Sequence, residues 1–152
     1  MKNKNYNDMQ CPIARCLDHI GEWWSLLIIR DAFRGSKRFD EFQKNLGIAT
    51  NILTRRLKEL VESGILEKQQ YGESTNRFEY ILTQRGQDLS PILMAMMQWS
   101  NKHIEFDETT SQIVNIQTKE VADLAFIDKK TGLEITSDTY KVVITDINKK
   151  IE

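Results

Sequence analysis

The chain has 152 residues, 40 % apolar and 28 % charged, with a formal net charge of −1, the composition of one ordinary globular domain with room for an appendage. That charge argues against a uniformly basic nucleic-acid glue, so any hold on a polyanion must come from local charge. No run reaches the roughly 18 to 20 uncharged apolar residues needed to cross a bilayer, and the opening MKNKNYNDMQ lacks the apolar stretch of a secretory signal, so the expected compartment is the cytoplasm.

In chain order, residues 1–10 read as an N-terminal arm. Pro12 opens a first helix that ends at Gly21, and a second helix spans about Trp24 to Phe33. The second is apolar on nearly all sides and is expected to be the buried central helix. Phe39, Phe42 and Leu46 then recur at helical spacing until Gly47 breaks the pattern. A further helix follows at once, from about Thr50 to Glu62, with Ile52, Leu53, Leu57, Leu60 and Val61 as its inward stripe and Gly64 as its stop. Helix, short glycine turn, helix is the helix-turn-helix outline.

Two β-prone runs, Ile65 to Tyr71 and Arg77 to Leu82, flank the loop Gly72-Glu73-Ser74-Thr75-Asn76 and predict a hairpin, the wing. Thr83 can cap the next helix, and Ser90-Pro91 starts a longer one carrying Leu89, Ile92, Leu93, Met96, Met97 and Trp99. After Glu105 the residues become β-branched and polar, with a hairpin turn expected over Phe126 to Leu133 and a strand over Tyr140 to Thr145. The predicted fold class is mainly α with a small β-hairpin wing, a winged helix-turn-helix over 11–104, followed by a β-rich extension over 105–152.

Charge follows this division. Residues 1–104 hold 15 Lys+Arg against 12 Asp+Glu, whereas residues 105–152 hold 6 against 10. The acidic excess therefore lies wholly in the extension. With Leu53, Leu57 and Leu60 inward, Asn51, Thr54, Arg55, Lys58 and Glu62 share the opposite face of their helix. Between Ile48 and Lys58 there are Arg55, Arg56 and Lys58 and no carboxylate, which suits a helix lowered into a negative groove. An Arg fork can bond guanine and Asn can bond adenine in the major groove, so Asn51 and Arg55 are the candidate base readers. Thr50 and Thr54 suit phosphate or thymine-methyl contacts. Lys37, Arg38 and Lys44 suit phosphates, and Ser74, Thr75, Asn76 and Arg77 form a polar wing tip for the minor groove or the backbone. Three basic residues on an isolated helix are more often only a solvated face. A cationic second helix after a tight turn, with a hairpin close behind it, changes that balance toward DNA.

The run from Cys11 to His103 resembles the HxlR-type winged-helix regulators, cousins of the MarR group. The resemblance rests on Cys11-Pro12, Leu17-Asp18, Ile20-Gly21, Trp24, Leu26-Leu27-Ile28 with Arg30, Gly35, Arg38-Phe39 with Phe42, Ile48, Leu53-Thr54 with Leu57, Leu60, Gly64, Arg77 with Glu79-Tyr80, Leu82-Thr83, Gly86, Pro91 and Trp99. It implies a homodimer on pseudo-palindromic operators, its interface formed by the N-terminal segment and the long helix ending near His103. Met96, Met97 and Trp99 are interface candidates, with plain core packing the competing role. The chain departs from the commonest family pattern at Asn45-Leu46-Gly47-Ile48, where many members carry a proline before Gly-Ile, and in its tail beyond His103.

Cys11 precedes Pro12, beside the positive end of the first helix dipole and near Arg15, which makes it a candidate redox or electrophile sensor. The resemblance raises the same idea, and a packing role at the helix start competes with it. Cys16 lies about 140° round the helix from Cys11, so an intrahelical disulfide is not expected. The strands expected in the extension could bind a small effector or extend the dimer interface, and Trp23, Trp24 and Phe33 make an aromatic effector pocket conceivable. No paired carboxylates, activated nucleophile, phosphate loop or metal spacing is visible, so neither an enzyme nor a cofactor is expected. The competing function is a winged-helix module that binds protein rather than DNA.

Overall fold

The computed structural model describes residues 11–72, 77–105 and 111–143. The chain divides into two compact units, Met1–Met96 and Met97–Glu152.

In the first unit, α1 (Pro12–Ile20) begins where proline at the first turn leaves no N–H unsatisfied. It ends with the Gly21 N–H donating to the Leu17 carbonyl at 2.7 Å. The next helix, α2 (Trp23–Phe33), packs against α1 and three other elements of this unit. Its centre is the core, with Ile28 and Ile29 fully buried. Its ends are not: Trp23 is 67 % exposed and Phe33 40 %. Asp31 is also buried, its Oδ1 2.8 Å from Arg30, a polar core position that an apolar reading of α2 does not anticipate.

Helices α3 (Phe39–Leu46) and α4 (Thr50–Glu62) are joined by a three-residue turn. Gly47 makes that turn with φ of 61°, a left-handed conformation that costs a side chain, while its N–H bonds the Gln43 carbonyl at 3.0 Å. Strands β1 (Leu66–Gln70) and β2 (Phe78–Leu82) pair antiparallel, from Leu66 opposite Leu82 to Gln70 opposite Phe78. The segment before α3 joins them, since the Tyr80 N–H donates to the Lys37 carbonyl at 2.7 Å and Arg38 bridges to Glu79.

Thr83 caps α5 (Gln84–Gln87), its hydroxyl accepting from the Gly86 N–H at 3.2 Å and donating to the Gly64 carbonyl at 2.6 Å. Gly86 has no room for a side chain, because a Cβ there would stand 2.3 Å from the Ile65 carbonyl oxygen. Helix α6 (Ser90–His103) follows and crosses the division between the units. The core of the first unit is built from Ile28, Ile29, Phe42, Leu53, Leu57 and Leu60 with their neighbours.

The second unit corrects the expectation of a β-rich extension. Among its described residues the expected strands are reduced to two isolated bridges, Val114 with Val121 and Ile127 with Glu134. Tyr140 to Val143 form no strand, and the rest of that expected element lies outside the described residues. The reason is local: side chains compete with the ladder for backbone donors. Asn115 Oδ1 accepts from the Gln117 and Thr118 N–H groups, and Asp128 Oδ1 from that of Lys130. The turn expected over Phe126 to Leu133 is present, closed by Asp128 N–H to the Leu133 carbonyl at 2.9 Å. Asp128 is held below the usual carboxylate range, first by the Lys130 N–H and then by the Tyr140 hydroxyl.

Candidate nucleic-acid interface

The orientation of α4 is fixed by what it buries. Leu53, Leu57 and Leu60 are each 1 % exposed or less, and full burial of such side chains contributes roughly 1.5–3 kcal/mol apiece. That leaves Thr50, Asn51, Thr54, Arg55, Lys58, Glu59 and Glu62 exposed.

The expected readers and phosphate binders on this helix are thus brought to one surface, and several are already oriented. Gln43 of α3 donates to Thr50 Oγ1 at 2.8 Å, a cross-link between the two helices that the sequence alone did not single out. Asn51 Oδ1 accepts from the Ile52 N–H at 2.9 Å, which leaves the Asn51 amide donors available. Thr54 donates its hydroxyl to the Thr50 carbonyl at 2.8 Å, so its methyl group rather than its hydroxyl is the outward contact. Arg55 has no ion pair among the described residues, while Lys58 Nζ lies 3.6 Å from Glu62.

Arg56 is the exception to the cationic helix read from the sequence. It is 8 % exposed and pairs with Glu22 at 2.8 Å and with Glu59 at 2.5 Å. Its charge is spent tying α4 to the start of α2, so the exposed cations of this helix are Arg55 and Lys58. Its Nε is buried without a partner among the described residues.

The edge of α3 adds Lys37 and Arg38. Glu41 accepts from both backbone N–H groups, at 2.8 and 3.0 Å, and these bonds, Lys37 first, hold its carboxyl below the usual range. The Arg38 side chain is steered by Glu41 at 3.6 Å and Glu79 at 3.9 Å and lies over the Tyr71 ring. It therefore joins α3 to the hairpin as well as presenting charge. Lys44 is exposed near the end of α3. In the hairpin, Arg77 is exposed, and its carbonyl accepts the Tyr71 N–H at 3.1 Å. Ser74, Thr75 and Asn76 lie outside the described residues. Lys68 of β1, not singled out from the sequence, stands 3.9 Å over the Phe78 ring.

The interface candidates differ in exposure: Met96 is 49 % and Trp99 60 % exposed, whereas Met97 is half-buried. Ile13 and Leu17 of α1 are exposed apolar side chains as well. Cys11 and Cys16 are half-buried free thiols. The aromatic pocket expected near Trp23, Trp24 and Phe33 does not form around all three. The two tryptophan rings are 5.0 Å apart at one end of α2, and Phe33 ends the helix roughly 15 Å along its axis.

A turn-linked helix pair with an adjoining antiparallel hairpin is what known proteins share with this chain. The model of the HxlR-like helix-turn-helix family matches residues 19–108. The chain belongs to that family. Among similar proteins, an uncharacterized HTH-type transcriptional regulator of Mycobacterium tuberculosis, Rv3095, is 37 % identical over 126 residues, covering 82 % of this chain and 80 % of its own. YybR of Bacillus subtilis, also named an HTH-type transcriptional regulator, is 33 % identical, covering 78 % and 97 %. Among solved structures, PA1607, named as a candidate transcription factor, is 38 % identical with a TM-score of 0.81 over 92 % of this chain and 99 % of its own. The redox regulator HypR in its oxidized form is 33 % identical with a TM-score of 0.57, over 63 % and 100 %. The fold of the first unit is that of a winged helix-turn-helix transcription regulator.

Proposed function

We propose that this HxlR-like regulator is a sequence-specific DNA-binding protein that acts as a homodimer on pseudo-palindromic operators. The observation that carries this reading is the exposed face of α4, where Asn51, Thr54, Arg55 and Lys58 stand together opposite three buried leucines. In the major groove, Arg55 and Asn51 read base edges, the Thr54 methyl packs on a thymine methyl, and Thr50 and Lys58 hold phosphates. Lys37, Arg38 and Lys44 hold the flanking backbone. The wing, with Ser74, Thr75, Asn76 and Arg77 at its tip, follows the adjacent minor groove or backbone. Two copies related by a twofold axis present their α4 helices to successive major grooves, about 34 Å apart. Met96, Met97 and Trp99 are assigned to the contact between copies, together with the exposed apolar side of α1.

Control of this DNA binding by a small molecule or an electrophile is part of the same reading. The redox name of HypR supports it, as does the free thiol of Cys11 at the start of α1. An electrophilic quinone adds that sulfur to a ring carbon: the S–C bond forms as the ring C=C π bond opens, and the thiol proton ends on the quinone oxygen, giving a hydroquinone thioether. A Cys11→Ser variant keeps operator binding and loses quinone-induced release; unchanged release in the variant removes Cys11 from the mechanism.

Duplex binding titrated against salt tests the main claim. Neutralising several phosphates makes log K fall linearly with log salt, by about 0.9 for each phosphate. A module that docks protein instead has no duplex affinity even at low salt.

A further inference from the structure

A concave site in the first unit is lined by no residue of α4. It is a cavity of about 380 Å³ between α1, the residue that leads into β1, and α5 with the loop after it, within the roughly 300–1,000 Å³ usual for small-molecule sites. Its apolar wall includes Ile20, Ile65 and Leu89. Its polar groups are Arg15 and His19 from α1 and Arg85 from α5, and no carboxylate lines it among the described residues. Arg85 is exposed and has no ion pair among the described residues. The Arg85 guanidinium beside an apolar wall that carries no carboxylate among the described residues selects one chemistry, a flat or short apolar body carrying a carboxylate.

We infer that this cavity is an effector site for a small organic carboxylate, its acid group held by Arg85 and its apolar body against Ile20, Ile65 and Leu89. The inference rests on the reading of the chain as an effector-responsive DNA-binding regulator.

The cavity is coupled to the DNA-facing elements through Ile65. The Ile65 N–H donates to the Leu60 carbonyl of α4 at 2.9 Å, and its own carbonyl accepts the Thr83 N–H at 3.1 Å. Gly86 closes on that same carbonyl, leaving no space for a Cβ. Ile65 is therefore clamped between the end of α4, the start of the wing and α5. A ligand that presses on its side chain displaces the junction between recognition helix and wing. Cys16 is also on the wall.

The test uses the full-length protein and two aromatic probes, 1-naphthoate and its uncharged analogue 1-naphthamide, in calorimetric titrations of the wild type and Arg85→Gln. The expected result is naphthoate binding at least tenfold tighter than naphthamide, weakened at least tenfold by Arg85→Gln, with operator affinity shifted by naphthoate in the wild type alone. Absence of naphthoate binding, equal affinity for acid and amide, or equal affinity in wild type and variant overturns the site. Arg85-dependent binding that leaves operator affinity unchanged upholds the carboxylate site and overturns its role as an effector site. Loss of operator binding in the unliganded wild type overturns the DNA-binding reading instead, and leaves the calorimetric comparison to judge the cavity by itself.

Discussion

Two arginines next to each other in sequence have opposite fates. By the roughly 100° per residue of an α-helix, Arg56 lies about 60° from Leu53, on the core side, while Arg55 falls on the opposite face. That geometry was legible in the sequence, but counting cations along the helix obscured it, and the acceptors Glu22 and Glu59 could not be named without the structure. Removing a buried guanidinium that holds two half-exposed carboxylates costs more than removing an exposed charge. We therefore expect Arg56→Gln to lower the urea midpoint while leaving the salt dependence of operator binding unchanged. Lys37→Ala should do the reverse, reducing the salt slope by about 1 with little effect on stability. A second residue-scale expectation concerns Glu41, whose carboxyl is held below its ordinary value of 4.5 by the Lys37 and Arg38 N–H groups. Its folded pKa lies below its unfolded one, so its contribution to stability is present above about 4.5 and is lost as pH falls through the folded value. Urea midpoints at pH 7 and pH 3 should therefore differ less in Glu41→Gln than in the wild type, and an equal difference in both would remove this role.

At the level of elements, α4 is the most constrained. Its limits, Thr50 and Glu62, agree with the sequence pattern because three leucines at helical spacing and the glycines on either side leave little freedom. Leu57→Ala should cost about 2–5 kcal/mol in denaturant unfolding. The hairpin was likewise legible, through its alternation and its glycine loop. The attachment of the Lys37–Arg38 segment to β2 was not, because a single bridge leaves no periodicity to read. Nor was the tight seat of Gly86, which depends on a carbonyl 21 residues earlier. Gly86→Ala should destabilise the protein more than Gly47→Ala: the first meets backbone at 2.3 Å, whereas the second faces open space and bears only the left-handed φ of 61°. Circular-dichroism melts of the two variants compare them directly.

For the whole molecule, the near-neutral total charge conceals a division between a basic first part and an acidic tail, so pI is no guide to polyanion binding here. The winged helix-turn-helix class was legible because apolar periodicity, turn residues and a hairpin all agree. The tail misled because β-branched residues suggest strands, while Asn115 and Asp128 take the backbone donors into turns. The exposure of Trp99 at 60 % makes it the sharper probe of the proposed homodimer. Trp99→Glu should raise the dimer dissociation constant at least tenfold in sedimentation measurements, and unchanged association would place that residue outside the interface. The central claim is that the exposed face of α4 reads sequence, and selection of bound sites from random duplex DNA, run with wild type and Arg55→Ala, tests it most directly. We expect a pseudo-palindromic site from the wild type and, from the variant, relaxed specificity at one position in each half-site, a loss of about 1–3 kcal/mol there. Recovery of no preferred sequence by the wild type, or uniform weakening with specificity intact in the variant, would contradict it.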